Sequence, residues 1–208
     1  MKVAIFGGTG KIGMGLAEQL SKSHSILIAS RDPAKARAAA ARVSGATGAD
    51  YLTAAAECEV AIAALPYSAI GSVTPLASPL AGKVVISIIN PIRVEGGVLV
   101  FGLEGGSAAQ ELAAKLSKSR VATAFNNIPV AFFRREEMVR LDVLIAADSP
   151  QTFDEAASLV RSIPNLRPLH AGPLSEAGSV ERMTPVVLNL AKMNGTGSLA
   201  PRFVSEKD

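Results

Sequence analysis

The chain has 208 residues, 49% of them hydrophobic and 19% charged, which is enough material to bury a full core. Its net charge is only +3, its basic residues are scattered and it has no Trp, so the composition argues against a base-stacking surface for nucleic acid. A single cysteine, Cys58, excludes an internal disulfide and a cysteine-based metal cluster.

Targeting signals are also missing from the pattern. Because MKVAIF leads directly into the first motif, we expect no signal peptide, and no apolar stretch of the sequence approaches the roughly 18 residues of a membrane span. We therefore expect a cytoplasmic protein that binds small molecules, with no nucleic-acid, membrane or metal partner.

Short apolar runs rich in β-branched residues alternate with Ala-rich helical patterns. The runs that predict strands are KVAIF (2–6), SILIAS (25–30), EVAIAAL (59–65), KVVISII (83–89), RVATAF (120–125) and DVLIAA (142–147). Apolar residues at a spacing of three to four predict helices over 12–22, 33–43 and 107–119. Strands buried on both faces and separated by helices are typical of α/β proteins, here a Rossmann-type doubly wound fold with a mainly parallel sheet.

The C-terminal residues follow a shorter pattern. It predicts a helix over 153–163, a strand around LRPLHA and a last helix over 179–193. We expect residues 1–148 to form a dinucleotide-binding Rossmann domain and residues 149–208 to form a small C-terminal α/β lobe that completes the substrate pocket.

A glycine motif, Gly8-x-Gly10-x-x-Gly13, stands between the first predicted strand and the first predicted helix. In this context Gly8 permits a sharp turn, Gly10 lets the main chain approach a pyrophosphate, and Gly13 lets the helix pack against the strand. Free amides at the start of the helix attract the anion. A purely structural turn would need one glycine, so the three at these offsets predict a dinucleotide site.

The end of the second predicted strand indicates which dinucleotide is bound. NAD-binding proteins usually carry an acidic residue there, but this chain has Ser30-Arg31, with Lys35 one turn into the next helix. A guanidinium gives a 2′-phosphate bidentate hydrogen bonds, whereas a carboxylate would repel it. Asp32, before Pro33, is the expected helix cap. The pattern therefore predicts NADP(H).

Acid–base groups for reducing an alcohol or ketone are hard to find. There is no Tyr-x-x-x-Lys, because Tyr51 is followed by LTAA and Tyr67 by SAIG, and neither His24 nor His170 has a paired carboxylate at a recognisable spacing. Hydride exchange between two carriers needs mainly the alignment of two rings. The sequence favours that reaction, with no catalytic side chain.

Longer stretches resemble one family. They are GGTGKIGMGLA, ASRDPAKA, ALPYSAI, GGSAAQELA, AFNNIPVA and LRPLHAGPLSEAGSVERMTPVVLNLAKMNG, in this order over residues 1 to about 204. The chain resembles the NADPH:coenzyme F420 oxidoreductases, which pass hydride between NADP(H) and the 8-hydroxy-5-deazaflavin coenzyme F420. The C-terminal stretch is the most family-specific of these matches.

The resemblance implies a role for each matching position. The pyrophosphate would be held by Thr9, Gly10, Lys11 and Ile12, and the 2′-phosphate by Ser30, Arg31 and Lys35. Tyr67 and Gly71 would flank the nicotinamide half of NADP(H). The wall where nicotinamide meets deazaflavin would contain Asn126, Ile128 and Val130, closed from the far side by Thr184 and Asn189. The resemblance also implies a homodimer, and the anionic tail of F420 would be steered by one or more of Arg134, Arg135, Arg182 and Lys192.

Two other functions remain open at this stage. The same scaffold suits an NADPH-dependent reductase of a flavin, quinone or ferric chelate, which would differ in the second pocket. It also suits a redox sensor that binds NADP(H) without turnover.

Overall fold

The computed structural model describes residues 1–133 and 139–206. Its centre is a parallel six-stranded sheet in the order β3-β2-β1-β4-β5-β8. The sheet strands are β1 (Lys2–Phe6), β2 (Ser25–Ala29), β3 (Ala46–Ala49), β4 (Val60–Ala63), β5 (Val84–Ser87) and β8 (Arg120–Thr123). The strand order reverses between β1 and β4, which is where doubly wound sheets open a crevice for ligands.

Helices cover both faces of this sheet. They are α1 (Lys11–Leu20), α2 (Pro33–Ala40), α3 (Tyr51–Glu57), α4 (Ala108–Lys115), α5 (Val130–Phe133), α6 (Pro150–Arg161) and α7 (Ala177–Asn194), with 3₁₀ segments at Tyr67–Leu76 and Leu174–Glu176. No helix in the two described ranges is long and apolar enough to cross a bilayer.

The core has two halves because strand residues alternate between the faces of the sheet. Val3 and Ile5 of β1 belong to one buried cluster, and Ala4 and Phe6 belong to the other. A strand buried on both faces has to be apolar at every position, which is why KVAIF is continuous rather than alternating. The predicted doubly wound α/β fold is confirmed.

The edge strand β3 is absent from the sequence prediction. Its residues, ATGA, have little β propensity, and it pairs with β2 in parallel register. Gly48 sits so close to α2 that a Cβ there would collide with the backbone of Ala36 and Arg37. Packing against α2, together with pairing to β2, makes this segment a strand.

The C-terminal part adds a second parallel pair. Strands β9 (Leu141–Ala146) and β10 (Leu166–Gly172) pair in parallel, with α6 between them in the chain. An antiparallel bridge from Ala122 to Ala147 joins this unit to β8. The predicted domain boundary after residue 148 falls between β9 and α6, inside the unit, and the division into two domains stays a prediction.

Residues 92–101 form a hairpin, although the glycine pairs Gly96-Gly97 and Gly105-Gly106 are typical of a loop. Strands β6 (Ile92–Glu95) and β7 (Val98–Phe101) pair antiparallel through a two-residue turn. Both turn residues have positive φ, 56° at Gly96 and 82° at Gly97, which suits a tight hairpin connection. The hairpin packs against α7, and Asn189 pairs with the main chain of Leu99 there.

Candidate functional site

The glycine loop follows β1, and three of its glycines have a steric reason to lack a side chain. Gly7 has a φ of 80°, in the left-handed region that favours glycine, and stands one residue before the motif. A Cβ on Gly8 would lie 2.8 Å from the carbonyl oxygen of Ile5. A Cβ on Gly13 would lie 2.7 Å from both the Gly7 oxygen and the Gly8 Cα, which confirms the close packing predicted for this position.

The start of α1 presents free backbone donors. Gly10 is the N-cap residue, no side chain caps the helix, and the first helical hydrogen bond runs from Met14 to the Gly10 oxygen at 2.9 Å. The amides of the first turn therefore have no helical acceptor. Thr9, Gly10 and Lys11 are exposed beside them. This arrangement suits an anion such as a pyrophosphate.

Replacing Gly13 by alanine should destabilise the fold, because the new methyl group meets rigid backbone on two sides. We expect a loss of about 2 kcal/mol in the free energy of unfolding, measured by urea denaturation. Gly10→Ala is the matched control: its Cβ would lie 3.3 Å from the Gly7 oxygen at an exposed position, so its unfolding should stay close to wild type. Equal stability of the two variants would contradict this packing argument.

The end of β2 places two cations beside the glycine loop. Asp32 caps α2 as predicted, accepting hydrogen bonds from the amides of Ala34 at 2.9 Å and Lys35 at 3.3 Å. Arg31 and Lys35 are exposed, and neither forms an ion pair with any residue that the structure describes. The Asp32 carboxylate is therefore used in capping α2, and the side chains of Arg31 and Lys35 are both available to an anionic ligand.

The side chain of Tyr51 lies near both Arg31 and Gly7. Its ring packs edge-on against Phe6, with centroids 5.2 Å apart, at the end of β1. Burial raises the pKa of the Tyr51 hydroxyl, against the lowering effects of the Arg31 charge and of the Gly7 amide. Arg31 therefore lies within electrostatic range of the Tyr51 hydroxyl, which is also close to Gly7.

A cavity of about 480 Å³ opens at the carboxyl edge of the sheet. Its walls follow β1, β4, β5 and β8, and α7 closes it. The lining residues are Gly10, Lys11, Ile12, Gly13, Ala64, Leu65, Pro66, Ile88, Asn90, Phe125, Asn126, Asn127, Ile128, Pro129, Val130, Thr184, Val187 and Leu188. The structure thus brings together seven of the predicted site residues: Gly10, Lys11, Ile12, Asn126, Ile128, Val130 and Thr184.

Other predicted residues lie outside this lining. Asn189 is on α7 but uses its amide on Leu99, accepting from the main-chain N at 3.0 Å and donating to the main-chain O at 2.7 Å. The Tyr67 hydroxyl donates to Glu111 at 2.7 Å, and Gly71 is exposed. Gly8 and Thr9 belong to the glycine loop, Ser30 and Arg31 follow β2, and Lys35 lies in the first turn of α2.

A polar network joins α7 to the segment after β8. The Thr184 hydroxyl donates to Asn127 Oδ1 at 2.7 Å and approaches the Asn126 carbonyl at 3.3 Å. Asn127 Nδ2 donates in turn to the carbonyl of Val180 at 3.1 Å. Asn127 and Asn90 are absent from the sequence prediction, although both follow a strand at its carboxyl end, where a polar residue could have identified them.

Glu181 is a buried acid that the sequence prediction also missed. It is 0% exposed, and its carboxylate accepts hydrogen bonds from the amides of Ala108 at 2.9 Å and Ala109 at 3.0 Å, at the start of α4. Burial raises the pKa of Glu181 to about 7, although the two amides and the Arg182 charge act in the opposite direction. These two hydrogen bonds connect α7 to the start of α4, one turn before Thr184.

The candidate residues for an anionic tail have different environments. Arg182 stacks over the ring of Phe101, with 4.3 Å between the guanidinium carbon and the centroid, and Lys192 donates to the Gly97 carbonyl at 2.8 Å. Arg134 and Arg135 lie outside the described residues.

Comparison with known proteins gives consistent results. Residues 2–91 match the family described as "NADP oxidoreductase coenzyme F420-dependent". Proteins named F420-dependent NADP reductase are similar over nearly the whole chain: the one from Methanothermobacter marburgensis is 37% identical, covering 91% of this chain and 92% of its own length. The one from Methanocaldococcus jannaschii is 32% identical, with 95% and 96% covered.

Solved structures agree on the fold. The crystal structure of an Arthrobacter sp. FB24 protein assigned as an F420-dependent NADP reductase superposes with a TM-score of 0.88, covering 99% of this chain and all of that one at 21% identity. An imine reductase from Bacillus cereus gives 0.64 at 16% identity, covering 94% of this chain and 63% of its own. Because its relatives match at 32–37% identity over more than nine tenths of its length, the chain belongs to the family of coenzyme F420-dependent NADP oxidoreductases.

Proposed function

We propose that this protein catalyses reversible hydride transfer between NADP(H) and the 8-hydroxy-5-deazaflavin coenzyme F420. When bound, the nicotinamide supplies or accepts hydride at C4 and the deazaflavin does so at C5. The observation that carries the proposal is the continuity of the glycine loop with an apolar cavity, both lined in part by Gly10, Lys11 and Ile12.

The described residues fit NADP(H). The space beside Gly10 and the free amides of α1 admit a pyrophosphate, which a side chain at Gly8 or Gly13 would disturb. Ser30, Arg31 and Lys35 surround the position expected for a 2′-phosphate, and no acid competes there because Asp32 is occupied in capping α2. These residues would hold the adenosine half and direct the nicotinamide half towards β4 and β5.

The cavity fits two stacked rings rather than acid–base chemistry. Leu65, Ile88, Phe125, Ile128 and Val130 give it apolar walls, and Lys11 is the ionisable side chain among the described lining residues. Such walls exclude water and keep two rings in van der Waals contact, which is what hydride exchange requires.

The direct test is anaerobic stopped-flow mixing of the protein with NADPH and oxidised F420. We expect the deazaflavin absorbance to disappear far faster than in the protein-free mixture. FMN in place of F420 should react much more slowly, and the reverse preference would support a general flavin reductase. Bleaching of F420 at the protein-free rate, with NADPH bound, would support the sensor hypothesis.

Filling the cavity should stop the reaction without unfolding the protein. Leu188 lines the cavity and is 39% exposed. Because the position is partly open to solvent, the fold should tolerate Leu188→Trp, while the larger side chain should occupy space that the nicotinamide and deazaflavin rings need. We expect turnover to fall at least tenfold, an effect of about 1.4 kcal/mol. Leu52→Trp, on the exposed face of α3, is the control and should keep wild-type turnover. Full activity of Leu188→Trp would place the reacting rings elsewhere.

We also propose a homodimer that uses the exposed side of α7. Val186, Leu190 and Met193 form an apolar stripe at helical spacing and are 57%, 48% and 68% exposed. Leu190→Glu should shift the protein towards monomer in sedimentation velocity, because burying an unpaired carboxylate is costly. Leu52→Glu is the control with the same charge change. An unchanged sedimentation coefficient for Leu190→Glu would exclude this face.

The domain division and the location complete the proposal. Residues 1–148 would bind the dinucleotide, and residues 149–208 would close the pocket, which is supported by Thr184, Val187 and Leu188 of α7 in the lining. We place the protein in the cytoplasm because its two coenzymes are intracellular, and cell fractionation with an antibody tests this location.

A further inference from the structure

Asn126 carries a buried acceptor that has no hydrogen-bond partner in the described part of the chain. The residue is 8% exposed and lines the cavity. Its Nδ2 donates to the Ile89 carbonyl at 3.4 Å and to Asn90 Oδ1 at 3.3 Å, but its Oδ1 receives no hydrogen bond. A buried acceptor in this state lowers stability, so its presence in the cavity needs a reason.

Neighbouring carbonyl groups fix the orientation of the amide. The Ile89 carbonyl can only accept, so it keeps the Asn126 nitrogen on its side. Asn90 Nδ2 donates to the Asn126 carbonyl at 3.0 Å, which likewise orients the Asn90 amide and turns its oxygen towards Asn126. Rotating either amide would set two oxygens against each other. The atom of Asn126 without a partner is therefore an oxygen.

Other amide oxygens in the lining are occupied. Asn127 Oδ1 accepts from the Thr184 hydroxyl at 2.7 Å, and Asn90 Oδ1 accepts from Asn126. Buried side-chain atoms without a partner in residues 1–133 and 139–206 belong to His24, Ser72 and Asn126, and of these three residues Asn126 is the one that lines the cavity. A ligand in the cavity would satisfy it by offering an N–H group.

We propose that Asn126 Oδ1 accepts a hydrogen bond from an amide-type N–H of a bound coenzyme and so sets the orientation of that ring in the cavity. The proposal rests on the proposed function and deepens it. Two groups have this chemistry: the carboxamide NH₂ of nicotinamide and the imide N–H of the deazaflavin ring. Asn126 follows β8, and Arg31 follows β2, on the opposite side of the switch point between β1 and β4. A dinucleotide anchored at Arg31 therefore extends its nicotinamide towards Asn126.

The test compares ligands that differ in this N–H alone. In the first arm, the dissociation constants of NADP⁺ and of its 3-acetylpyridine analogue, in which a methyl group replaces NH₂, are measured by calorimetry. We expect the wild type to bind the analogue roughly tenfold more weakly, and Asn126→Ala to bind both nearly equally. Asn194→Ala, which removes an exposed amide outside the cavity lining, is the matched control and should keep the wild-type ratio.

The second arm uses the deazaflavin and its N3-methylated form with the same three proteins. A ratio that depends on Asn126 in either arm supports the proposal and identifies the source of the N–H. Equal binding within both ligand pairs by the wild type would overturn it without reference to any variant, even if Asn126→Ala fails to fold. Absence of hydride transfer to F420 would remove the proposed function, but a positive first arm would still establish the acceptor role towards NADP⁺.

Discussion

Arg31→Asp is expected to weaken NADPH binding by about 3 kcal/mol, roughly a hundredfold in the dissociation constant. The variant removes a charge-assisted hydrogen bond to the 2′-phosphate and adds a repulsion. Arg31 is exposed and follows β2, which pairs with the strand that leads into the glycine loop, so the change falls beside the expected phosphate position. Titration of the intrinsic NADPH fluorescence at fixed ionic strength measures the effect.

Two comparisons separate this effect from a general change in charge. Arg37→Asp makes the same charge change on the last turn of α2, away from the end of β2, and should change NADPH binding little. NADH lacks the 2′-phosphate, so Arg31→Asp should leave its affinity nearly unchanged. Equal losses for NADPH and NADH would mean that the phosphate lies elsewhere.

Glu181 should make the protein less stable as the pH rises from 5 to 8. Its pKa is about 7 in the folded state, against 4.5 for an exposed glutamate. Between these values the unfolded chain loses the proton while the folded protein keeps it, so the free energy of unfolding falls as pH rises. Above pH 7 both states are ionised and the loss is complete. Over pH 5 to 8 this group should lower the free energy of unfolding by an amount on the order of 2 kcal/mol.

Urea denaturation of the wild type and of Glu181→Gln across this range measures the effect. Glutamine resembles the protonated acid and does not titrate, so the variant should gain stability relative to wild type as pH rises. The difference between the stability curves of the two proteins removes the contributions of other titrating groups. One of these is His24, whose pKa is lowered by burial and by the nearby N-terminal charge. Asp142 does not contribute in this window: burial raises its pKa, but hydrogen bonds from Arg167 and Phe203 outweigh burial and leave the pKa below the ordinary value. Parallel stability curves would refute the assignment.

Local features of the sequence predicted local features of the structure. Five of the sheet strands, the position of the glycine loop and the Asp32 cap at α2 follow from patterns within a few residues. The motif does not, however, include Gly7, whose φ of 80° lies in the left-handed region. The collision partners of a Cβ at Gly7 belong to Ala64 and Leu65, residues after β4 that the motif does not contain.

Residues on α7 show where sequence reasoning was insufficient. Thr184 and Asn189 stand a little over one turn apart, and both were expected in the pocket. Thr184 lines the cavity, but the Asn189 amide is bound to Leu99 of the β6–β7 hairpin. Which way each side chain points depends on what packs against the helix, and the hairpin precedes α7 by many residues.

The sequence by itself determined the alternation of strands and helices, the dinucleotide loop and the basic end of β2, because backbone geometry, helix capping and hydrophobic periodicity act over short distances along the chain. Only the tertiary structure decided the shape of the cavity, the burial of Glu181 against α4 and the unpaired oxygen of Asn126. The cavity and the unpaired oxygen arise where segments from the ends of four strands meet α7, and Glu181 is buried where α7 meets α4, so these features depend on how the layers pack.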